Sequence, residues 1–288
     1  MLAENPEKRG ILQAFKTIPI MHQDIRHTTD YLQVIRGNGR YSFTLDELAE
    51  NISKTPRNIR KDIDRLRSKG EIINIVRGFY TVLPDEYKKM GMMPAEFFID
   101  DLMNFMKRDY YVGLFSAAML HGAGHQQPQE FFVITRPPKS RKVTANDFVI
   151  NFNEKKRFPS VGIEQKKSET GYFNVSSREL TFLDLIYFEK SIGGLDRVIT
   201  ILIELAEEIN IKSMKRVLRS TFPVSTVQRA GYLAENFGMD KLRPVFEAHL
   251  SKRKPRPVLL DPTGDTTGDA DSKWRIIVNI DLEADIDI

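Results

Sequence analysis

The sequence predicts an α+β protein with two parts: a small helical unit that ends in a β-hairpin, and a larger mixed α/β domain. Three patterns support this class. Two short amphipathic helices separated by a tight break occupy residues 44–69, and a hairpin pattern follows at residues 71–82. Farther along the chain, apolar strand patterns at residues 130–135 and 148–152 alternate with longer helical stripes.

The two helices before the hairpin are defined by apolar spacing and by their starts. Thr44 is a suitable cap for the first helix, whose apolar residues fall at i, i+3, i+4 and i+7. The second helix is predicted to begin at Pro56, because the first helical residue tolerates the missing N–H of proline. The inward stripes are Leu45, Leu48, Ala49 and Ile52 in the first helix, and Ile59, Ile63 and Leu66 in the second.

The outward face of the second helix is strongly basic. Residues 54–69 contain seven Lys or Arg against Asp62 and Asp64, a net charge of +5. In a helix-turn-helix, the start of the second helix enters the major groove, where guanidinium and amide groups match base edges. The hairpin corresponds to a wing, with its turn at residues 77–78. We therefore predict DNA contacts by Lys54, Thr55, Arg57, Asn58, Arg60, Lys61, Arg65 and Arg77.

Within this set the predicted roles differ. The base readers are Arg57, Asn58, Arg60 and Lys61, whereas the phosphate contacts are Lys54, Arg65 and Arg77. The alternative is an ordinary solvated basic helix beside a small sheet.

Composition limits the class of protein. The chain has 288 residues, of which 41% are hydrophobic and 28% charged, and it carries a net charge of +4. These values are typical of a globular protein with room for two domains and an anionic partner. The absence of cysteine fits a reducing compartment, and no apolar run approaches the length of a membrane span. We expect a cytoplasmic protein.

Two domains are expected, one over residues 1–88 and the other over residues 89–288. The first is predicted to carry an N-terminal helical arm. In the second, residues 110–125 are apolar all round and are predicted to form one buried helix. Residues 261–288 hold eight acidic and two basic residues, a net charge of −6, and include a strand pattern at residues 274–282 that we expect to pack on this domain.

No residue pattern indicates a catalytic or metal site. His121 and His125 have i, i+4 spacing, but a zinc site needs three or four ligands, so packing or hydrogen-bonding roles are favoured. The Asp-rich residues 261–271 lack the spacing of a calcium loop. Since no nucleophile, base and orienting acid form a recognisable set, we expect no enzyme activity, no metal and no cofactor.

Two further zones are basic. Residues 136–167 hold nine basic and three acidic residues, a net charge of +6, and residues 212–256 hold eleven and three, a net charge of +8. If they converge, they form an anion-binding surface, although ordinary solvated helices and loops explain them as well. The candidate residues are Lys139, Arg141, Lys142, Lys252, Arg253 and Lys254.

Several motifs across residues 30–250 resemble the AbiE-type abortive-infection antitoxins, the AbiEi-like half of type IV toxin-antitoxin pairs. They follow the order seen in that family. The wing motif is Arg77-Gly78-Phe79-Tyr80 with Pro84, and the central ones are Tyr110-Tyr111-Val112-Gly113, Ser116-Ala117-Ala118, Leu120-His121-Gly122 and QQPQEFFVIT at residues 126–135. The later ones are Val175-Ser176-Ser177, Leu183-Asp184-Leu185, Gly193-Gly194-Leu195-Asp196 and VQRAGYL at residues 227–233.

The resemblance implies a winged-helix repressor that binds inverted repeats in the operator DNA of its own toxin-antitoxin operon. It also implies a second domain that counters a nucleotidyltransferase-like toxin, in most members without a stable complex. The motifs at residues 110–135 would then determine the fold. Two other classes remain open: a ligand-sensing transcriptional regulator with a pocket in its second domain, and a nucleic-acid-modifying enzyme.

Overall fold

The chain is described over residues 25–124, 130–220 and 222–282 in a computed structural model. Over these residues, helices and β-sheets confirm the predicted α+β class. The arm predicted before the first helix lies, up to residue 24, outside the described residues. None of the described helices combines the length and apolar character needed to span a bilayer.

The first unit is a three-helix bundle with a small sheet. Thr44 Oγ1 accepts a hydrogen bond from the backbone N–H of Glu47, which confirms the predicted cap, and Pro56 is the first residue of its helix. A short strand that ends at Thr44 extends the hairpin into a three-stranded antiparallel sheet. The elements are α1 Thr28–Gly37, β1 Ser42–Thr44, α2 Leu45–Asn51, α3 Pro56–Ser68, β2 Ile72–Val76 and β3 Phe79–Val82.

The second part is organised around a six-stranded mixed sheet with the order β6-β7-β5-β4-β9-β8. The pairs β5–β7 and β4–β9 are parallel, and the other neighbours are antiparallel. Strands β6 and β8 have no counterpart in the sequence prediction. The elements of this region are α4 Ile99–Phe105, β4 Tyr110–Val112, α5 Leu114–Leu120, β5 Glu130–Thr135, β6 Val143–Ala145, β7 Phe148–Glu154, β8 Ile163–Lys167 and β9 Tyr172–Ser176.

The prediction of a single helix over residues 110–125 is wrong. This run starts as strand β4, which pairs with β5 and β9, and becomes helix α5 only after Gly113. The aromatic and β-branched residues of β4 favour a strand. A Cβ on Gly113 would lie 2.8 Å from Cγ1 of Ile134, so the absence of a side chain permits the close approach of β5. His125 lies outside the described residues.

Helices cover one face of this sheet, and a small three-stranded sheet follows them. Side chains alternate along the strands: Tyr111 and Phe132 face the helices, whereas Val112 and Phe131 face the opposite core. The remaining elements are α6 Arg178–Tyr187, α7 Glu189–Ile192, α8 Asp196–Glu207, α9 Ile211–Leu218, α10 Val224–Asn236, α11 Arg243–Leu250, β10 Val258–Leu259, β11 Asp269–Asp271 and β12 Ile276–Val278.

The sheet face away from the helices packs against α4 and the wing. Ile75, Phe79 and Leu83 of the wing region share one buried cluster with Phe98 and Leu102. The Phe79 and Phe105 ring centroids are 5.5 Å apart. Strand β2 of the wing also contacts β6. The division at residues 88 and 89 stays a prediction, but the two parts it separates are joined by a shared apolar core.

A polar contact reinforces this junction. Arg40 forms a two-pronged pair with Glu47 at 2.5 and 2.6 Å, and its Nε lies 3.9 Å from Asp101 Oδ2. Ser42 Oγ donates a hydrogen bond to the same carboxylate of Asp101, on α4. Burial raises the pKa of Asp101, although Ser42 and Arg40 oppose the shift. The start of the first unit's sheet is therefore tied to α4 as well as packed near it.

Candidate nucleic-acid interface

The start of α3 projects a set of exposed polar and basic side chains. Thr55 Oγ1 accepts a hydrogen bond from Asn58 N at 3.4 Å, and Ile59, Ile63 and Leu66 are buried beneath the helix. With that face fixed in the core, the predicted contact residues of α3 and its cap point outward and are exposed: Thr55, Arg57, Asn58, Arg60, Lys61 and Arg65. Their placement suits entry of α3 into a major groove.

Lys54 differs from the other predicted contacts. Its Nζ lies 2.5 Å from Asp62 Oδ2, and Thr28 Oγ1 donates to the same oxygen at 2.7 Å. Burial alone would raise the pKa of Asp62, but the hydrogen bonds from Lys54 and Thr28 bring it below its usual value. Lys54 thus links the turn before α3 to α3 itself, and the same Asp62 carboxylate links α3 to α1. The contact of Lys54 with a phosphate stays a prediction, and Asp62 already neutralises part of the lysine charge.

Arg77 is exposed at the wing tip, where hydrogen bonds hold the backbone of the turn in place. Gly78 has φ +87°, which favours glycine, and its carbonyl accepts a hydrogen bond from Leu45 N at 2.9 Å. Asn74 Nδ2 donates to Val76 O at 2.7 Å, bracing the strand before the turn. Because Leu45 begins α2, this contact sets the wing relative to the helices.

The six candidate residues of the second domain are exposed but do not share one pocket. Lys139, Arg141 and Lys142 line a pocket of about 600 Å³. Lys252, Arg253 and Lys254 follow α11 and are absent from its lining. Their convergence on one anion-binding surface stays a prediction.

Six polar residues of this pocket were not among the predicted site residues: Glu130, Ser140, Asn151, Asn153, Ser191 and Arg197. Asn151 and Asn153 lie on β7, and Arg197 lies on the first turn of α8. The sequence could have indicated that the two asparagines act together, because they occupy alternate positions in a strand and so share one face. Arg197 had no such signal, since only the tertiary fold brings α8 to the edge of the sheet.

A buried ion pair links the central motifs. Lys155 and Asp184 are 2% and 0% exposed and form a direct ion pair, while Tyr111 OH donates to Asp184 Oδ2 at 2.7 Å. The Lys155 ammonium also lies 3.9 Å from the centroid of the Phe222 ring. Burial lowers the pKa of Lys155 and raises the pKa of Asp184, whereas their pairing favours both charged forms. This network ties β4 and the end of β7 to α6.

Other motif residues make similar internal contacts. Ser116 Oγ accepts a hydrogen bond from Phe132 N at 2.9 Å, which fixes α5 on β5. His121 Nε2 lies 2.6 Å from the carbonyl of Ser176, and burial lowers the pKa of this imidazole. The contacts of His121 support the hydrogen-bonding role predicted for it.

The motif on α10 holds the C-terminal segment. Gln228 Nε2 donates to Trp274 O at 3.0 Å, and Arg229 Nε donates to the carbonyls of Leu259 and Leu260 at 3.0 Å each. Gly231 leaves the space that the indole of Trp274 occupies. Only Ile276–Val278 of the strand predicted at residues 274–282 is extended in β12, because these contacts place Trp274 in the turn before it.

Comparison with known proteins agrees with these motifs. Residues 111–236 match the family model described as the AbiEi antitoxin C-terminal domain. A solved structure, the RV2827C protein from Mycobacterium tuberculosis, is similar in fold, with a TM-score of 0.56 and 15% identity over 88% of this chain and 92% of that one. A search of curated proteins gives no significant match. Residues 111–236, which contain the buried motif network, therefore correspond to an AbiEi antitoxin C-terminal domain.

Proposed function

We propose that this protein is a type IV antitoxin that represses its own operon by sequence-specific DNA binding and counters a nucleotidyltransferase-like toxin through its second domain. The observation that carries the proposal is the exposed basic start of α3, in a chain that also has an exposed Arg77 on its wing and an AbiEi antitoxin C-terminal domain. DNA binding and toxin antagonism are thereby assigned to different surfaces.

Three features support the DNA-binding half. Arg57 and Arg60 are exposed on the first turns of a helix whose opposite face is buried, so the helix can approach a groove without unfolding. Arg57, Asn58, Arg60 and Lys61 offer guanidinium, amide and ammonium groups, which pair with acceptors and donors on base edges. Arg65, farther along α3, and Arg77, on the wing, are also exposed, and we assign them to phosphates.

An operator with inverted repeats, as the family resemblance implies, would be bound by two copies of the chain. Each half-site would receive one α3, and the spacing of the half-sites would follow the helical repeat of DNA. Operator DNA and the toxin are thus the two partners of the proposed function.

The experiment separates repression from antagonism in the full-length protein. Arg57→Ala/Arg60→Ala should abolish operator binding and repression of a promoter fusion, because both base readers are lost. The same variant should still rescue growth when toxin and antitoxin are expressed from unrelated promoters. Arg216→Ala/Arg219→Ala, in the last turn of α9 and directly after it, removes equal charge from exposed positions outside α3 and is the matched control for repression.

Two results would contradict the proposal. If the α3 variant still represses its operon, α3 is not the DNA-reading element. If the same variant, shown to be folded, fails to rescue growth from the toxin, DNA binding and antagonism do not lie on separate surfaces.

A further inference from the structure

The pocket beside β7 has features of a binding site that the proposed function does not use. Its volume of about 600 Å³ lies within the range of small-molecule sites. It opens on the helix-covered side of the large sheet, between residues 139–142 and the turn that joins α7 to α8. The residues that matter are Lys139, Arg141, Lys142, Arg197, Asn151 and Asn153.

The charge of this lining is unbalanced. Four of its residues are basic, and Glu130 is its one carboxylate. Within residues 25–124, 130–220 and 222–282, no ion pair neutralises Lys139, Arg141 or Lys142. Unpaired cations that converge on a concave surface attract an anion more strongly than the same charges spread over a convex one.

Arg197 is held in place before any ligand arrives. Its Nη1 donates to the carbonyl of Ile192 at 3.2 Å, and its guanidinium lies 4.7 Å from the centroid of the Phe115 ring. Gly193, with φ +103°, leaves room for it, since a Cβ there would lie 3.1 Å from Arg197 Cδ. An arginine with a fixed orientation loses less conformational entropy when it binds an anion.

The floor of the pocket is polar. Asn153 is 8% exposed, and its Nδ2 donates to Ser191 Oγ at 3.1 Å, while Asn151 lies two residues earlier on the same face of β7. Side-chain amides donate and accept hydrogen bonds, which is how proteins recognise ribose hydroxyls and base edges. Amides on a rigid strand give such recognition a defined geometry.

The lining favours a compact ligand over a nucleic-acid strand. Proteins that bind single strands stack bases on exposed aromatic rings. The aromatic residues of this lining, Phe132 and Phe152, are 3% and 2% exposed. Arginine and lysine bind phosphate oxygens through charge-assisted hydrogen bonds.

We propose that this pocket binds a nucleoside polyphosphate, with its phosphates on Lys139, Arg141, Lys142 and Arg197 and its nucleoside over Asn151 and Asn153. This site is separate from α3, so its failure would leave the proposed DNA binding untouched.

The test is calorimetric titration of full-length protein with ATP and with GTP, in magnesium-free buffer at moderate ionic strength. Saturable binding near one ligand per chain is expected for at least one of them. Lys139→Glu/Arg141→Glu/Lys142→Glu should weaken it by about tenfold or more, because three phosphate contacts become repulsive. Lys212→Glu/Lys215→Glu/Arg216→Glu on α9, which changes the formal charge equally outside the pocket, should change it by less than about threefold.

Arg197→Met gives a second, milder variant that keeps the side-chain length and should also weaken binding. Trp274 fluorescence and operator binding check that each variant is folded. The absence of saturable binding, or an equal loss in both triple variants, would overturn the proposal. If pyrophosphate binds as tightly as ATP, the nucleoside part of the proposal is wrong. If a short single-stranded RNA binds while ATP and GTP do not, the ligand is a nucleic-acid strand and the proposal is wrong.

Discussion

The predicted DNA-contacting residues fall into two groups, according to whether an acidic side chain pairs with their charge. Within the described ranges, Arg57, Arg60 and Lys61 form no ion pair, so their charges face solvent. Lys54 pairs with Asp62 at 2.5 Å, and Arg65 lies 3.7 Å from the other oxygen of that carboxylate. A charge that is already paired gains less from a phosphate than an unpaired one.

Replacing a base reader should differ from replacing a phosphate contact. Arg57→Ala or Arg60→Ala should cost about 1–3 kcal/mol at the operator and little on random DNA, because a base-edge contact is lost. Arg77→Ala should weaken binding to both DNAs and lower the slope of affinity against salt concentration. Fluorescence anisotropy at several salt concentrations measures these effects. An equal loss on both DNAs for all three variants would contradict the assigned roles.

Glu189 gives a prediction about pH. It is 3% exposed, and burial raises its pKa to about 7, with Asp261 adding to the shift and Arg229 and Lys190 opposing it. A carboxyl whose pKa is raised on folding stabilises the native state at low pH, and this stabilisation is lost as pH rises from about 4.5 to about 7. Glu189→Gln mimics the protonated form at every pH.

The variant Glu189→Gln should therefore match the parent in stability near pH 4.5 and exceed it above pH 7. The gain should be up to about 3 kcal/mol, since one pKa unit corresponds to about 1.4 kcal/mol. Urea unfolding of both proteins across this range provides the measurement. A difference that stays constant with pH would show that Glu189 does not titrate in this interval.

Among the structural elements, α10 is the anchor of the C-terminal segment. Its residues Gln228 and Arg229 donate to carbonyls of that segment, and Gly231 faces the indole of Trp274. Trp274 Nε1 also donates to the carboxylate of Glu235. One helix therefore supplies both the hydrogen-bond donors and the space that position β10 and β12 against the helical core.

Filling that space should displace the segment. A Cβ on Gly231 overlaps the ring of Trp274, so Gly231→Ala should destabilise the protein by about 1–3 kcal/mol and shift Trp274 fluorescence toward that of an exposed indole. Gly37→Ala at the end of α1, where a Cβ meets nothing within 4 Å, is the matched control and should be neutral or slightly stabilising. Unchanged fluorescence in Gly231→Ala would contradict the predicted displacement of Trp274.

In the whole molecule, the wing belongs to two cores. Ile72 and Val82 pack with the three helices of the first unit, whereas Ile75 and Phe79 pack with α4 and the large sheet. A fragment that ends near Lys89 retains the first core but exposes the second set to water. We therefore expect such a fragment to be less stable than the same unit in the full chain, and to bind DNA more weakly.

Removal of a buried wing side chain tests whether the wing and the C-terminal part of the chain unfold together. Phe79 is 0% exposed, so Phe79→Ala should cost about 3–5 kcal/mol of unfolding free energy. If the two parts unfold together, the transition reported by Trp274, the sole tryptophan, should move to lower denaturant together with the circular-dichroism transition. Arg77→Ala, exposed on the same hairpin, should leave both transitions unchanged. If Phe79→Ala leaves the Trp274 transition at the same denaturant concentration, the two parts of the molecule unfold independently.

The sequence alone determined the features that depend on local chemistry. The cap at Thr44, the start of α3 at Pro56 and the buried face of α3 are set by residues within one or two helical turns, so periodicity and capping identified them. The family motifs at residues 110–135 and 227–233 were recognisable for the same reason, as each is contiguous.

The tertiary structure alone decided what depends on residues distant in sequence. Tyr110–Val112 became a strand because β5 and β9 flank it, although its composition also fits a buried helix. Lys155 and Asp184 became a buried pair, and Arg197 joined Lys139 at one pocket, because the sheet and helices bring them together across long separations. The core shared by the wing and the sheet has the same origin: apolar spacing shows that a face is buried, but only the packed fold determines which surface buries it.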